Sequence, residues 1–498
     1  MSTKTDKIDI MYTRKTHLLL TILIFQSCII FLPSPSFGEK FPLQDPTPDY
    51  IFYNGTILTM EETQPTAEAV AVLGDIIIAV GNENEAFRYA DSTTQLINMR
   101  GATVVPGFID SHSHWIGDRG LTNTTELTDV IDSLISYGWT SISELFVNQD
   151  RLNELQAVDN ANGLKIRVNC YLPLGYGFDR FGDWYQAYTP GYEYSPRLRI
   201  AGVKLFADGW YRDPVIYINQ TEMNQLVQEA HSWGFQIATH SVTPNATDIV
   251  LNAYESVIGN ESNDLRHRIE HLVLLRDDQI TRLAELDILG CIQLPWFNSD
   301  WNDLIEPVIG RDWAVIIGRW RDLLNADVHL MGSTDYPYVL GDIRTPLGII
   351  ATAVTRIGTL GDAPVDFMLN QTISPEQALR TLTIDGAYGT FQENIKGSIK
   401  FGKLADLVVL SDNPLTTSET ELKNIDVLMT MINGEIEYIK PESPDTTTAF
   451  SSLSMTDTTI GTSESTSAPV LPLTTSAPIF SFIFLGVLLI GLIRTRKN

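Results

Sequence analysis

Two histidines separated by one residue, His112 and His114, close the stretch Gly107-Phe108-Ile109-Asp110-Ser111-His112-Ser113-His114. On a strand, side chains alternate with a period of two, so both imidazoles project from one face and can grip a single cation. Lys204, His240, His271 and Asp335 follow, each at the end of an apolar or β-branched run. Imidazoles and a carboxylate suit zinc or a similar divalent ion, and the set points to a hydrolase that works through metal. A lone strand histidine is more often a hydrogen-bonded core residue, and Asp335 alone could cap the turn before Pro337. Their recurrence at successive strand ends is what favours ligands.

The elements that must carry these residues alternate. After His114, Leu127, Val130, Ile131, Leu134 and Ile135 fall at helical spacing, Gly138 stops the helix, and residues 140–144 resume in β-branched style. The pattern returns at Met223, Leu226, Val227 and Ala230, behind the cap candidate Thr221, and again at Ile280, Leu283 and Leu286. Candidate strands are 103–109, 140–145, 166–172, 202–207, 236–240, 267–273, 288–294 and 328–333. Alternation of this kind over about 250 residues predicts an α/β fold, a (β/α)8 TIM barrel over 104–396, with its chemistry at the carboxyl ends of the strands. Residues 49–103 and 397–440 read as strands and turns, with Asn54-Gly55 and Asn433-Gly434 as turn signals. Neither flank can bury a core alone, so the two are expected to form one small β-sandwich. Ser374-Pro375-Glu376-Gln377 is a capping box that starts a late helix toward Tyr388.

Composition limits the partners. The chain has 498 residues, 44% hydrophobic and 19% charged, with a formal charge of −27, which excludes nucleic acid and an anionic membrane surface as natural partners. Cys170 and Cys291, the cysteines left after a leader, are too few for a disulfide framework or a thiolate zinc site. Arg14 and Lys15 precede an apolar run at 18–32 that breaks at Pro33-Ser34-Pro35, so residues 1–38 read as a signal peptide. From 441 to 478, 18 of 38 residues are Ser or Thr and five are Pro, the composition of a solvated stalk. It leads to an apolar run at 479–493 followed by Arg494, Arg496 and Lys497, read as a transmembrane helix whose basic end stays cytoplasmic, with the folded part facing outward at the cell surface. Leu471-Pro472-Leu473-Thr474-Thr475 also looks like a degenerate sortase signal. Asn54, Asn123, Asn219, Asn245, Asn260 and Asn370 each open an Asn-x-Ser/Thr triplet, acceptable in an exported protein.

Over roughly 49–438 the chain resembles the amidohydrolase superfamily, in the branch that includes N-substituted formamide deformylases. The segments that carry the resemblance are Val105-Pro106-Gly107 through His114, Val203-Lys204-Leu205-Phe206-Ala207-Asp208-Gly209, Ala238-Thr239-His240, His267-Arg268-Ile269-Glu270-His271, Gly332-Ser333-Thr334-Asp335-Tyr336-Pro337 and Gly402-Lys403-Leu404-Ala405-Asp406-Leu407-Val408-Val409-Leu410. The resemblance implies that His112 and His114 hold a first metal and that His240 and His271 hold a second. It implies that Lys204, carbamylated by carbon dioxide, bridges the pair, and that Asp335 touches the first metal and its hydroxide. An ammonium cannot ligate metal, but apolar neighbours across 202–207 favour the neutral amine that accepts carbon dioxide; the alternative is a stem that packs while its head reaches solvent. Two such ions would bring the pKa of bound water toward about 7 and supply a metal-bound hydroxide, with Asp335 moving its proton to the departing nitrogen.

The function this implies is hydrolysis of a non-peptide carbon–nitrogen bond in a small amide, formamide or cyclic amide. The rivals are deamination of an aminated heterocycle and a barrel that has lost catalysis and serves as a surface binding module. Trp115, Asp208, Trp210, Tyr211, Arg212 and Trp296, just beyond strand ends, are the candidates for substrate binding. An aromatic-rich connection at 174–199 is expected either to wall the barrel mouth or to pack on its rim. His267 and His329 share the parity of His271 and Asp335 and are expected to face the barrel interior one layer down. Neither the substrate nor the oligomeric state follows from these residues.

Overall fold

The computed structural model describes residues 47–122, 126–176, 179–209, 215–301, 310–339, 343–441 and 454–455. The expected leader, the 479–493 helix, and the stalk apart from residues 441 and 454–455 lie outside the described residues, as do Trp210, Tyr211 and Arg212. Among the described residues no helix is long and apolar enough to cross a membrane. The chain divides into Met1–Met455 and Thr456–Asn498, and every described element belongs to the first unit.

Eight parallel strands form the barrel: β1 (Phe108–Ser113), β2 (Trp139–Leu145), β3 (Arg167–Pro173), β4 (Leu198–Phe206), β5 (Gln236–Ser241), β6 (Arg268–His271), β7 (Leu289–Gln293) and β8 (Leu330–Ser333). Each pairs with the next in parallel, with register shifts between β1 and β2 and between β3 and β4. β8 lies beside β1, where Asp335 N donates to His112 O at 2.8 Å and His114 N to Tyr336 O at 2.9 Å. Alternation sorts the side chains: on β4, Val203 and Leu205 join the apolar shell beneath the helices, leaving Lys204 between them to point inward. The interior departs from the usual aliphatic layers, because Arg268, Glu270, Tyr171 and Gln236 meet there through hydrogen bonds.

Local signals set the connecting helices. The helix Gln220–Ser232 starts one residue before the expected cap: Asn219, not Thr221, accepts from the Glu222 amide, and Glu222 returns a bond to the Asn219 backbone. Thr243 caps Pro244–Ile258, and Ser374 caps Pro375–Thr381 through the expected box with Gln377. That last helix breaks before Ile384–Tyr388, so the run toward Tyr388 is two helices and not one.

The flanking strands interleave. Leu407–Leu410, from the C-terminal flank, pairs antiparallel with Thr103–Pro106 from the N-terminal flank inside one six-stranded sheet. In that strand Leu407 and Val409 enter the core shared with Phe52, Ile57 and Val104, while Val408 and Leu410 belong to the barrel core. The expected first strand, 103–109, is two strands: Thr103–Pro106 stays in the flanking sheet and Phe108–Ser113 begins the barrel. Gly107 is the crossing point, where a Cβ would lie 2.2 Å from Thr140 Oγ1, so only glycine passes β2 this closely. Its amide donates to Asp406 O at 2.8 Å.

Candidate metal centre

His112 projects inward near the end of β1, fully buried, with Nδ1 2.5 Å from Glu270 Oε2. That carboxylate accepts a hydrogen bond from Nδ1–H, which keeps the proton on Nδ1 and leaves the Nε2 lone pair free. Nε2 lies 3.3 Å from Asp335 Oδ1, and His114 Nε2 lies 3.4 Å from the same oxygen. One ligand atom each from His112, His114 and Asp335 fall within 4.8 Å of one another, the spacing a single cation requires. His112, Glu270 and Cys291 also meet that spacing, but both Glu270 oxygens already accept from Arg268, at 2.6 and 2.8 Å.

The other half of the site continues from His112. Its ring lies 4.8 Å from that of His271, which in turn lies 4.4 Å from that of His240. His271 Nδ1 is 2.8 Å from Gln293 Oε1, and its ring stacks on Trp296 at 5.4 Å and 5°. His240 Nε2 is 3.6 Å from Asp208 Oδ1. Lys204 is buried under the Phe206 ring, 4.8 Å from Nζ to its centroid.

Four buried atoms here, His112 Nε2, Lys204 Nζ, His240 Nε2 and Asp335 Oδ1, have no hydrogen-bond partner among the described residues. An unsatisfied buried polar group costs about 1–3 kcal/mol, so several in one place call for a ligand, and the donor types fit a divalent metal. Their protonation suits it as well. Burial, with Lys204 nearby, pulls His240 down to about 3 and His112 well below its ordinary value, leaving both neutral. Burial and the neighbouring His240 do the same to His271. Burial draws Lys204 down to about 8 against the pull of Glu270 and Asp335, within reach of the neutral amine. Burial opposes a charge on His114, but the Asp335 carboxylate outweighs it and the net shift is upward.

The substrate-binding candidates fare differently. Asp208 accepts from the Val242 and Thr243 amides at 3.0 and 2.8 Å and from the Thr243 hydroxyl at 2.7 Å, and so anchors the loop that follows His240, with Oδ1 also beside His240 Nε2. Trp115 is buried, with its indole donating to Asp110 Oδ2 at 2.9 Å and its ring stacked on Tyr336 at 3.9 Å. Trp296 is buried against His271. The aromatic connection divides between its two expected places. Tyr185 donates to Glu229 Oε1 on the barrel flank, whereas exposed Phe181 meets Phe146, which meets Phe206 above Lys204.

His267 does not face the barrel interior, whereas His329, just before β8, keeps the inward parity of Met331 and Ser333. His267 turns outward to His231 Nδ1 at 2.9 Å and the Ile237 amide at 3.2 Å, and His329 lies 3.8 Å from Asp385 with its ring against Tyr388. For His267 parity failed because His271 takes a left-handed backbone angle, φ 77°, which swings it out of the alternation that points Arg268 and Glu270 inward. Glu270, Arg268, Gln293 and Asp110 support the site without being singled out by sequence reasoning. Arg268 and Glu270 two apart on one strand were the available signal for the first pair.

A family model described as the amidohydrolase family matches residues 120–438, beginning after His114. The chain is 28% identical over 256 residues to the N-substituted formamide deformylase of Arthrobacter pascens, covering 48% of this chain and 46% of that protein. It is 31% identical over 408 residues to Protein LONG AFTER FAR-RED 3 of Arabidopsis thaliana, covering 77% of this chain and 63% of that protein. The match thus spans about half to just under two thirds of these relatives' lengths. In fold, an uncharacterized metal-dependent hydrolase from Pyrococcus horikoshii OT3 aligns with a TM-score of 0.64 at 20% identity, over 74% of this chain and 99% of that one.

Proposed function

This chain belongs to the amidohydrolase family, and from that premise we propose that it hydrolyses a carbon–nitrogen bond other than a peptide bond, in a small amide, formamide or cyclic amide. The observation that carries this is the convergence of four unpartnered buried atoms, on His112, Lys204, His240 and Asp335, around imidazoles held neutral. His112, His114 and Asp335 would hold one divalent ion and His240 and His271 a second, zinc or a similar metal, with Lys204 bridging them as its carbamate. Ions bound there supply the positive charge that polarises a carbonyl and acidifies water toward neutral pH.

The chain's own groups do the rest. Asp335 accepts a proton as water adds to the carbonyl carbon and returns it to the departing nitrogen, so that the carbon–nitrogen bond breaks to give a carboxylic acid and a neutral amine. Glu270 and Gln293 fix the tautomers of His112 and His271 so that neither ring turns its protonated nitrogen toward the site.

Metal analysis combined with turnover tests this reading. About two divalent ions per chain are expected for the wild type, fewer in Lys204→Ala, and Asp335→Asn should lose about 10²- to 10⁴-fold in kcat. A metal-replete protein that fails on a broad amide panel yet releases ammonia from aminated heterocycles would overturn it in favour of a deaminase.

We also place the barrel on the outer side of a membrane, a reading supported by the apolar runs at 18–32 and 479–493. Labelling of an epitope in the barrel on intact cells is the expected result, and labelling only after permeabilisation would refute it.

A further inference from the structure

Among the described residues, every neighbouring pair of barrel strands is joined by a backbone ladder except β8 and β1. At that seam a buried carboxylate joins two isolated backbone bonds, from Asp335 N to His112 O and from His114 N to Tyr336 O. Asp110, on β1, accepts from the Thr334 amide at 2.9 Å through Oδ1, and from the Thr334 hydroxyl at 2.6 Å and the Trp115 indole at 2.9 Å through Oδ2. The His112 amide approaches Oδ1 at 3.4 Å. Thr334 Oγ1 accepts in turn from the Tyr336 amide at 2.9 Å, and Tyr336 stacks on Trp115 at 3.9 Å. The two sides of the seam therefore meet through one closed cluster.

What the cluster holds is the first half of the metal centre. His112 and His114 lie two and four residues past Asp110, and Asp335 directly follows Thr334. Asp335 occupies a left-handed conformation at φ 56°, which a non-glycine residue keeps only when its surroundings over-determine it. The seam bonds from Asp335 N to His112 O and from His114 N to Tyr336 O depend on the register that Asp110 and Thr334 set.

We propose that Asp110 is a positioning residue, latching the closing seam of the barrel through Thr334 so that His112, His114 and Asp335 keep one coordination geometry. It touches neither substrate nor ion. The inference rests on the metal-site reading of those three residues, yet the latch itself has a readout free of metal.

The experiment compares wild type with Asp110→Asn, Thr334→Val, the double variant and Thr334→Ser in the full chain, each checked by far-UV circular dichroism. Cobalt(II) is titrated into metal-free protein and followed by visible absorption, and amide exchange at His114 and Asp335 is measured without metal. Each disruptive single variant should weaken one of the two cobalt binding events about 10- to 100-fold and leave the other near its wild-type value. The double variant should be no worse than the worse single, because both changes cut one interaction. Thr334→Ser, which keeps the hydroxyl, should restore binding, and both amides should exchange faster in the disruptive variants alone.

Wild-type cobalt affinity and exchange in Asp110→Asn would overturn the latch, as would equal weakening of both binding events, the mark of general destabilisation. Should Asp110→Asn not fold, Thr334→Val decides, since it leaves the carboxylate and the backbone bond in place. Should the wild type bind no cobalt, the proposed function fails while amide exchange still decides the latch.

Discussion

Replacing Glu270 by glutamine exchanges one oxygen for an NH2 group at the centre of the barrel, and its cost follows from the contacts there. The wild-type carboxylate accepts Arg268 Nε at 2.6 Å on Oε1, with Arg268 Nη2 at 2.8 Å and His112 Nδ1 at 2.5 Å on Oε2, all fully buried. Burial would raise its pKa, but the Arg268 charge outweighs burial and the net shift is downward, so the carboxylate stays ionised. Glutamine presents a donor where at least one of these donors now points and leaves the Arg268 charge buried without its counter-ion. Breaking a buried pair from one side costs about 3–5 kcal/mol. Residues 49–438 form a body of about 390 residues, whose unfolding entropy near ~0.8 kcal/mol per degree turns that cost into a Tm drop of about 4–6 °C. Scanning calorimetry on the full chain reads it. Arg268→Met added to Glu270→Gln should recover stability, because a neutral pair strands no charge, although Arg268 also donates to Ser111 O at 2.8 Å and recovery should be partial. A Glu270→Gln protein melting within a degree of wild type, or a double variant losing the sum of the two singles, would refute the reasoning.

Where barrel and flanking sheet meet, Arg167 donates to Asp406 at 2.7 and 2.9 Å in the interior, and the half-buried Asn433 amide adds a third bond at 2.8 Å. Asp406→Ala should cost about 3–5 kcal/mol, against under about 1 kcal/mol for Lys400→Ala on the surface, and urea titration of both variants separates the cases. Burial would raise the Asp406 carboxyl, but Arg167 outweighs it and holds the group below its ordinary value. Its stabilisation is therefore full above the unfolded pKa near ~3.9 and lost as pH falls through the lower folded value; an unchanged acid limb in Asp406→Asn would contradict this. His267 titrates in a different window. Burial, with His231 beside it, takes its pKa to about 3, so below the unfolded value near ~6.5 the unfolded chain binds the extra proton and stability falls by up to ~1.4 kcal/mol per pH unit. His267→Gln should flatten stability between pH 7 and 5, and an unaltered slope would count against the neutral buried imidazole.

The parts of this molecule that a reader of the sequence can find are those governed by short-range periodicity. The eight barrel strands are legible because β-branched runs alternate with helical spacing, and His112 with His114 because two residues apart on a strand means one face. Lys204 is legible for the same reason, standing between Val203 and Leu205, which must face the helices. Illegible features have their cause at long range or in backbone angles outside the strand region. Asp110 stands inside the most recognisable segment of the chain, but its purpose depends on Thr334, 224 residues away across a seam that no local pattern announces. Asp208 reads as a pocket residue because it follows a strand end, while its bonds to the Val242 and Thr243 amides on the next strand's loop show only in the fold.

His271 is the sharper case. It follows Glu270, which points into the barrel, so alternation sends it outward and makes His267 its companion; a φ of 77° turns it back toward His112 and His240. Asp335 also takes a left-handed angle, φ 56°, but keeps the inward parity of Met331 and Ser333 on β8. Such conformations cost on the order of 1–3 kcal/mol and persist where neighbouring bonds impose them. At His271 the conformation brings in a donor that strand alternation would have left outside. Strand alternation presents only every second residue to a given face, so His112, Lys204 and His240 reach the site from regular strand positions, while His271, next to inward-facing Glu270, reaches it only where the chain leaves the strand region.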